Sequence, residues 1–244
     1  MRGVKKDNYL IRDSFKKMTF REKVDYIITY YKFPIITALI AAAVLISTVV
    51  NRMNRKEPVL YTAFANVVIG ETLHEQLTDE YLRYAGKTAK QGITVYEGLY
   101  ISDDPAVVDH QIAYASKLKL LGAVNTRQLD VVLMNKEAYD LFSSSGFLCN
   151  LDELMKTDPQ LYQQLSDLIQ INIVILDDNA VEYSLGEADE YISETEEIRN
   201  GLDVSGAALL KDAGFPDTIY LGIIENSTHK EEAVNYIRYL FQFE

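Results

Sequence analysis

The stretch FPIITALIAAAVLISTVV, Phe33–Val50, decides how the rest of the chain is organised. It contains no charged residue, and at about 1.5 Å of rise per residue a helix of this length is about 27 Å long. A bilayer core is about 30 Å thick, so the stretch predicts a transmembrane helix that contacts the lipid bilayer. We therefore expect a basic cytoplasmic segment at 1–32, a stalk at 51–57 and an extracytoplasmic domain at 58–244.

Two other interpretations of the apolar stretch fit it less well. A cleaved signal peptide has an apolar run of about 7–15 residues with small residues at its end. Here the run has 18 residues, Ala41–Ala43 lie in its middle, and Arg52, Arg55 and Lys56 follow it. A core helix of a soluble protein usually carries polar residues along one side. The pattern favours a permanent single-pass anchor in the cell membrane.

The distribution of charge predicts the orientation of the chain in the membrane and argues against one class of partner. Residues 1–32 carry nine Lys or Arg, whereas 51–56 carry three. Because Lys and Arg are enriched on the cytoplasmic side, the N-terminus is predicted to be inside. The formal charge of −12 divides into +8 for residues 1–56 and −20 for 57–244. An outer part this acidic argues against nucleic acid as a partner.

Strand-like and helical patterns alternate through the outer part, which predicts a parallel three-layer α/β sheet. The run LDVVLM, Leu129–Met134, is typical of a strand that is covered on both faces, and it places Val132 in the centre of the sheet. The acidic stretch Glu187–Glu197 is interpreted as a solvated helix face or a loop, and Ser205–Ala213 as a small helix. The predicted strands are 60–66, 93–101, 129–134, 171–176 and 218–224.

The sequence contains no motif that predicts catalysis. Glycine-rich phosphate loops, the G-x-S-x-G nucleophile turn and the H-E-x-x-H zinc motif are all missing. His74, His110 and His229 lack the close spacing of metal ligands and are predicted to be surface residues. The lone Cys149 is predicted to be a small buried side chain. We therefore expect no enzyme activity, no catalytic residue, no bound metal and no cofactor.

Four polar residues are the predicted ligand-binding residues. In open α/β sheets, ligands lie beyond the carboxyl ends of the strands, where the strand order reverses. If the first strand lies between the second and the third, that crevice is lined by Asn66, Glu71 and Asn135, with Asp103 nearby. The alternative is that these residues only form turns and helix caps.

Two segments resemble the extracellular solute-binding proteins of bacterial ABC transporters. In residues 129–155, the resemblance lies in Asp130-Val131-Val132, Gly146-Phe147-Leu148 and Leu151-Asp152-Glu153-Leu154. The second segment, LGIIENSTHKEEAVNYIRYL at 221–240, resembles the return segment of that family. The resemblance implies one lobe of a periplasmic-binding-protein fold. Because only about 65 residues separate the two segments, it also implies a small or vestigial second lobe.

These observations give one main functional hypothesis and two alternatives. The main hypothesis is a membrane-anchored extracytoplasmic binding module for a small solute or for another envelope protein. The first alternative is a structural or assembly component of the envelope that has no small ligand. The second is a cell-wall hydrolase, which would need convergent carboxylates that the abundance of acidic residues alone does not demonstrate.

Overall fold

A computed structural model describes residues 19–54, 56–102, 110–156 and 158–243. The chain divides into two compact units, with the boundary between Arg55 and Lys56. The predicted site residue Asp103 lies outside the described residues.

The first unit contains helix α1, Phe20–Asn54, which includes the predicted apolar stretch. Its segment Tyr31–Val50 has a mean hydropathy of 2.5, and none of it is buried against other parts of the protein. The hydroxyl groups of Thr37 and Thr48 donate to carbonyl oxygens four residues earlier, at 2.9 and 2.7 Å. Such bonds satisfy polar groups that would otherwise be costly in hydrocarbon. By length and composition, this helix is able to cross a membrane.

The second unit is built on one six-stranded sheet with the order β2-β1-β3-β6-β5-β4. Helices cover the central strands, and the elements follow one another as strand and helix through most of the unit. The strands are β1 (Glu57–Ala65), β2 (Gln91–Leu99), β3 (Val131–Met134), β4 (Ile169–Asp178), β5 (Ser193–Asp203) and β6 (Tyr220–Ile223). The helices are α2 (Glu71–Glu75), which continues through a π-helical turn (Gln76–Glu80) into α3 (Tyr81–Tyr84), then α4 (His110–Asn125), α5 (Lys136–Ser144), α6 (Leu151–Met155), α7 (Pro159–Leu165), α8 (Ala180–Leu185) and α9 (Lys230–Phe241).

The mixed α/β class is confirmed, but the prediction of an entirely parallel sheet is wrong. Strands β2, β1 and β3 are parallel, whereas β6, β5 and β4 each run antiparallel to the preceding strand in the sheet. The chain reverses direction between β4 and β5, and two strands joined in this way pair antiparallel. The same two strands extend the single sheet, so the described residues of this unit form no separate second lobe.

Alternating side chains of the central strands lie in two separate cores. Val131 and Leu133 point into one core, with side chains of α3, α6, α7 and α9. Val132 and Met134 point into the other core, with side chains of α4 and α5. All four side chains are buried because successive residues of a strand face opposite sides of the sheet. The apolar run that predicted a doubly covered strand is explained by these three layers.

Strands β4 and β5, with helix α8 between them, form a projecting hairpin that we call the arm, residues 169–203. Ile169 and Leu202 are buried where the arm joins the sheet, whereas most side chains between them are exposed. The interpretation of Glu187–Glu197 as a helix face or a loop is wrong for its second half, which belongs to β5. Pairing with β4, from Asp178 with Ser193 through Ile169 with Leu202, makes this acidic segment a strand.

One local prediction near the end of the chain is also wrong. Residues Ser205–Ala213 form successive turns and no helix, which agrees with the poor helix propensity of Gly206 within them. Helix α9 begins at Lys230 with His229 at the N-cap position, and no side chain caps it. The hydroxyl of Ser227, just before this helix, accepts a hydrogen bond from the His229 amide at 3.0 Å.

Candidate functional site

Asn66 and Asn135 meet at the carboxyl ends of β1 and β3, where the sequence analysis placed the crevice. Asn66 has a left-handed backbone, with φ of 57°. Its side-chain amide pairs with the backbone of Ile101, donating to the carbonyl at 2.6 Å and accepting from the N–H at 2.7 Å. The same amide nitrogen donates to Asn135 Oδ1 at 3.1 Å. The two side chains therefore join the ends of β1, β2 and β3.

Asn135 also has a local structural role. Its Oδ1 accepts a hydrogen bond from the Ala138 amide at 3.0 Å and so caps helix α5. Glu71 is an exposed residue in the first turn of α2 and does not belong to this amide pair. The polar groups of the amide pair are thus largely committed to the fold, and their contact with a ligand stays a prediction.

We predict that Asn66→Ala lowers the free energy of unfolding by about 2 kcal/mol. The change removes the bonds to Ile101 and Asn135 and places alanine in a left-handed conformation. Asn66→Gly is the matched control because it removes the same side chain without the backbone strain. Urea unfolding of the full chain in mild detergent, followed by tyrosine fluorescence, measures both. Equal stability of Asn66→Ala and the wild type would contradict a structural role for the amide pair.

A second polar cluster lies at the opposite ends of the central strands, and the sequence analysis did not predict it. Asp130 directly precedes β3 and is completely buried. Its carboxylate accepts hydrogen bonds from the Tyr61 amide at 2.8 Å and from the Ser227 hydroxyl at 2.6 Å. His229 Nδ1 lies 3.1 Å from Asp130 Oδ2. The cluster joins the N-terminal side of the central sheet to the start of α9.

The arrangement of this cluster differs from that of a serine nucleophile with its base. Ser227 donates its hydroxyl proton to Asp130, not to His229. In a catalytic triad the serine instead donates to the histidine, which in turn contacts the carboxylate. His229 is only partly buried, so its prediction as a plain surface residue missed a contact to a buried carboxylate. The cluster, as arranged here, is suited to holding the loop before α9 in place.

A cavity of about 580 Å³ lies beside His229, and both basic and acidic side chains line it. In its wall, Glu232 accepts a hydrogen bond from the Tyr81 hydroxyl and lies 2.7 Å from Lys87 Nζ. Burial, together with the Glu232 carboxylate, raises the pKa of the Tyr81 hydroxyl well above its ordinary value. The volume of the cavity is within the range of about 300–1,000 Å³ that is usual for small-ligand sites.

Within the described ranges, no group of three or more His, Cys, Asp or Glu side chains is placed to hold a metal ion. His74 Nδ1 lies 2.6 Å from one carboxylate oxygen of Glu97. Cys149 is buried, and burial raises the pKa of its thiol to about 12. Because the thiolate is the reactive form, this cysteine is unsuited to act as a nucleophile at neutral pH.

The arm carries the largest set of exposed apolar side chains that we find in the described part of the second unit. β4 is the outermost strand at one end of the sheet. Its exposed apolar residues are Ile171, Ile173 and Leu176, and those of α8 and the following turn are Val181, Tyr183, Leu185, Tyr191 and Ile192. Exposed apolar groups clustered along an edge strand are typical of protein contact surfaces and are a liability when left uncovered.

The base of the arm is held by a buried polar network. The Tyr139 hydroxyl donates to Asn200 Oδ1 at 2.9 Å, and Asn200 donates to the Ser143 hydroxyl at 2.8 Å. Ser143 in turn donates to the Ile173 carbonyl of β4 at 2.9 Å. Gly201 lets the Tyr139 ring pack closely, because a Cβ there would lie 2.4 Å from a ring carbon. The network attaches the arm to α5 in one defined position.

The chain significantly matches no protein-family model, no curated protein and no solved structure.

Proposed function

We propose that this protein is a single-pass membrane-anchored binding module and that its extracytoplasmic domain binds another envelope protein through the arm. The observation that carries the proposal is the row of exposed apolar side chains on the arm. The hydrogen bond between Tyr139 and Asn200 fixes the base of the arm. This supports the proposal, because a preorganised surface loses less conformational entropy on binding. The resemblance of residues 129–155 and 221–240 to solute-binding proteins is also consistent with a binding role.

The proposed orientation rests on flanking charge. Nine Lys or Arg precede the apolar stretch in residues 1–32 and three follow it in 51–56, which favours an N-terminus inside the cell. We predict that protease added to intact protoplasts removes the outer domain and leaves a stub of about 56 residues. An antibody against the N-terminal peptide detects the stub. A full-length product that resists protease until the cells are lysed would reverse the orientation.

Photo-crosslinking in cells tests the proposed contact surface. A photoreactive amino acid at Ile173 should give a discrete adduct of higher mass. The same amino acid at the exposed Val68, which lies outside the arm, is the matched control and should not give that adduct. The adduct should weaken when Ile171 is changed to threonine, which keeps strand propensity while removing apolar surface. No adduct from Ile173, or an equal one from Val68, would exclude the arm as the contact surface.

A small solute is the second candidate ligand, and the cavity beside His229 is the observation that favours it. A panel of sugars, amino acids and peptides in a thermal-shift assay tests this candidate. A solute at 100 times its dissociation constant should stabilise the domain by about 2.7 kcal/mol. A response that disappears in Lys87→Met, and persists in Asn66→Gly, would place the solute in this cavity and not at the amide pair.

A further inference from the structure

One face of the arm is covered by a helix and the other is free. Helix α5 lies against the covered face, where the Asn172 amide donates to Asp140 Oδ1 at 2.7 Å. Because successive residues of a strand point to opposite faces, Ile171 and Ile173 lie on the other face, where they are 59% and 49% exposed. Glu197 of β5 is directly opposite Ile173 and shares this face with it. We call the surface formed by Ile171, Ile173 and Glu197 the free face.

The edge of β4 is less available to a partner than its free face. An edge strand binds another strand through its unpaired backbone N–H and C=O groups. At Ile173 both groups are already bonded, because the carbonyl accepts from the Ser143 hydroxyl at 2.9 Å and the N–H donates to Asn172 Oδ1 at 2.8 Å. The Gln170 carbonyl accepts from the Tyr139 hydroxyl at 3.2 Å. A strand added at this point would displace these bonds, so the arm is suited to contact through its side chains.

The charge of the arm is of one sign and is not neutralised within the domain. Residues 174–198 contain nine acidic residues and no Lys or Arg. Among the residues that the structure describes, no Lys, Arg or His forms an ion pair with any of these nine. Asp177 and Glu194 are directly opposite each other across β4 and β5. Like charges in this position destabilise a sheet.

The acidic charge and the exposed apolar side chains point to a ligand only when they are taken together. Solvation alone accounts for an acidic surface, but it does not account for exposed isoleucines beside the acidic groups. Local arrangements that lower stability without an internal gain are typical of functional surfaces. Complementary charge steers a partner and fixes its register. A second copy of the domain is a poor source of that charge, because residues 57–244 carry a net charge of −20.

We propose that the partner of the arm is a positively charged segment of a different protein, with apolar side chains of its own, and that it docks on the free face without adding a strand to the sheet. The inference rests on the proposed function of the arm as a protein-binding surface, and it names the chemistry of the partner. Apolar side chains of the segment pack on Ile171 and Ile173, while a Lys or Arg pairs with Glu197. The other acidic residues of the arm attract the segment at longer range.

Two substitutions at neighbouring residues test the contact with the free face. Glu197→Gln removes a charge from this face. Glu196→Gln is the matched control, because it removes the same charge from an exposed side chain that points to the opposite face. With the photoreactive amino acid at Ile173 in cells, we expect Glu197→Gln to lower the yield of the adduct by about threefold, in the range of one exposed ion pair. Glu196→Gln should change it by less than about 1.5-fold. Equal yields from the two variants would overturn docking on the free face.

The dependence on salt tests the charge of the partner. In right-side-out membrane vesicles, the adduct from Ile173 is formed at 0.1 M and at 1 M sodium chloride. The Debye length falls from about 10 Å to about 3 Å between these conditions, so attraction between exposed charges is largely screened at the higher one. We expect a lower yield at 1 M. A contact made by apolar groups alone is not weakened by this salt, so an equal or higher yield would overturn the inference.

The composition of the crosslinked segment gives the most direct result. Digestion and mass spectrometry of the adduct identify the partner peptide that is joined at position 173. We expect a peptide with more Lys and Arg than Asp and Glu. A peptide of zero or negative net charge would overturn the inference, and so would an adduct with twice the mass of the chain. The salt and mass measurements use a chain without the glutamine substitutions, so neither depends on how those variants fold.

Failure of this inference is distinguishable from failure of the proposed function. An adduct from Ile173 that is insensitive to Glu197→Gln and to salt keeps the proposed function and overturns the positively charged partner. No adduct from Ile173 overturns both. Melting followed by circular dichroism is the folding control, and neither glutamine variant should melt below the wild type because each removes a like charge from the arm.

Discussion

Val132→Asp is expected to unfold the domain, and it is the largest effect that we predict. Val132 is completely buried in β3, between Ala63 of β1 and Gly222 of β6. Helices α4 and α5 cover its side chain. An aspartate there has no partner among these apolar groups, and we expect a cost of at least about 4 kcal/mol. That cost is comparable to the total stability of a typical domain, which is about 5–15 kcal/mol.

The matched control is the same substitution at an exposed valine. Val68→Asp should change the free energy of unfolding by less than about 0.5 kcal/mol, because Val68 is 90% exposed. The chain contains 17 tyrosines and no tryptophan, so tyrosine fluorescence and circular dichroism follow unfolding. A soluble Val132→Asp chain that melts cooperatively near the wild-type temperature would show that β3 is not the central strand.

The position of Val132 was predictable because its neighbours in sequence are sufficient to define it. A nearly continuous apolar run of strand length, Leu129–Met134, is typical of a strand that is covered on both faces, and all four residues of β3 are buried. The meeting of Asn66 and Asn135 was predictable for a related reason. Parallel strands that are neighbours place their carboxyl ends at the same edge, so the residues that follow each strand come together.

Elements that depend on distant pairing were not predictable in this way. The first half of β5, SETEE at Ser193–Glu197, consists of five polar residues that local propensity places in a loop or a helix face. It is a strand because β4 pairs with it. The sequence predicts strand β6 but not its direction, since a run such as YLGI is equally compatible with parallel and antiparallel pairing.

The Asp130 cluster was missed because its members are far apart in sequence. Ser227 and His229 contact Asp130 across 97 and 99 residues. No local motif joins them, and His229 taken alone has the pattern of a surface residue. One signal was available: Asp130 directly precedes a completely apolar strand, where a charged residue is buried and needs partners.

The second large effect concerns this buried carboxylate. Asp130→Ala should lower the free energy of unfolding by about 3 kcal/mol. The change leaves the Tyr61 amide and the Ser227 hydroxyl without their acceptor, and each unpaired buried group costs about 1–3 kcal/mol. His229 adds less, because it is only partly buried. Urea unfolding of the full chain in detergent measures the loss.

A double-mutant cycle separates the carboxylate's contact with Ser227 from its other contacts. Ser227→Ala alone should cost about 1 kcal/mol, since it removes one hydrogen bond and leaves Asp130 bonded to the Tyr61 amide. In the Asp130→Ala background the same change should cost almost nothing, because its acceptor is already gone. Asp130→Ala should also increase amide hydrogen exchange at Tyr61 and in the first turn of α9, the two segments that the carboxylate joins. Full additivity of the two substitutions, with unchanged exchange at both segments, would mean that the carboxylate does not hold the start of α9 against the sheet.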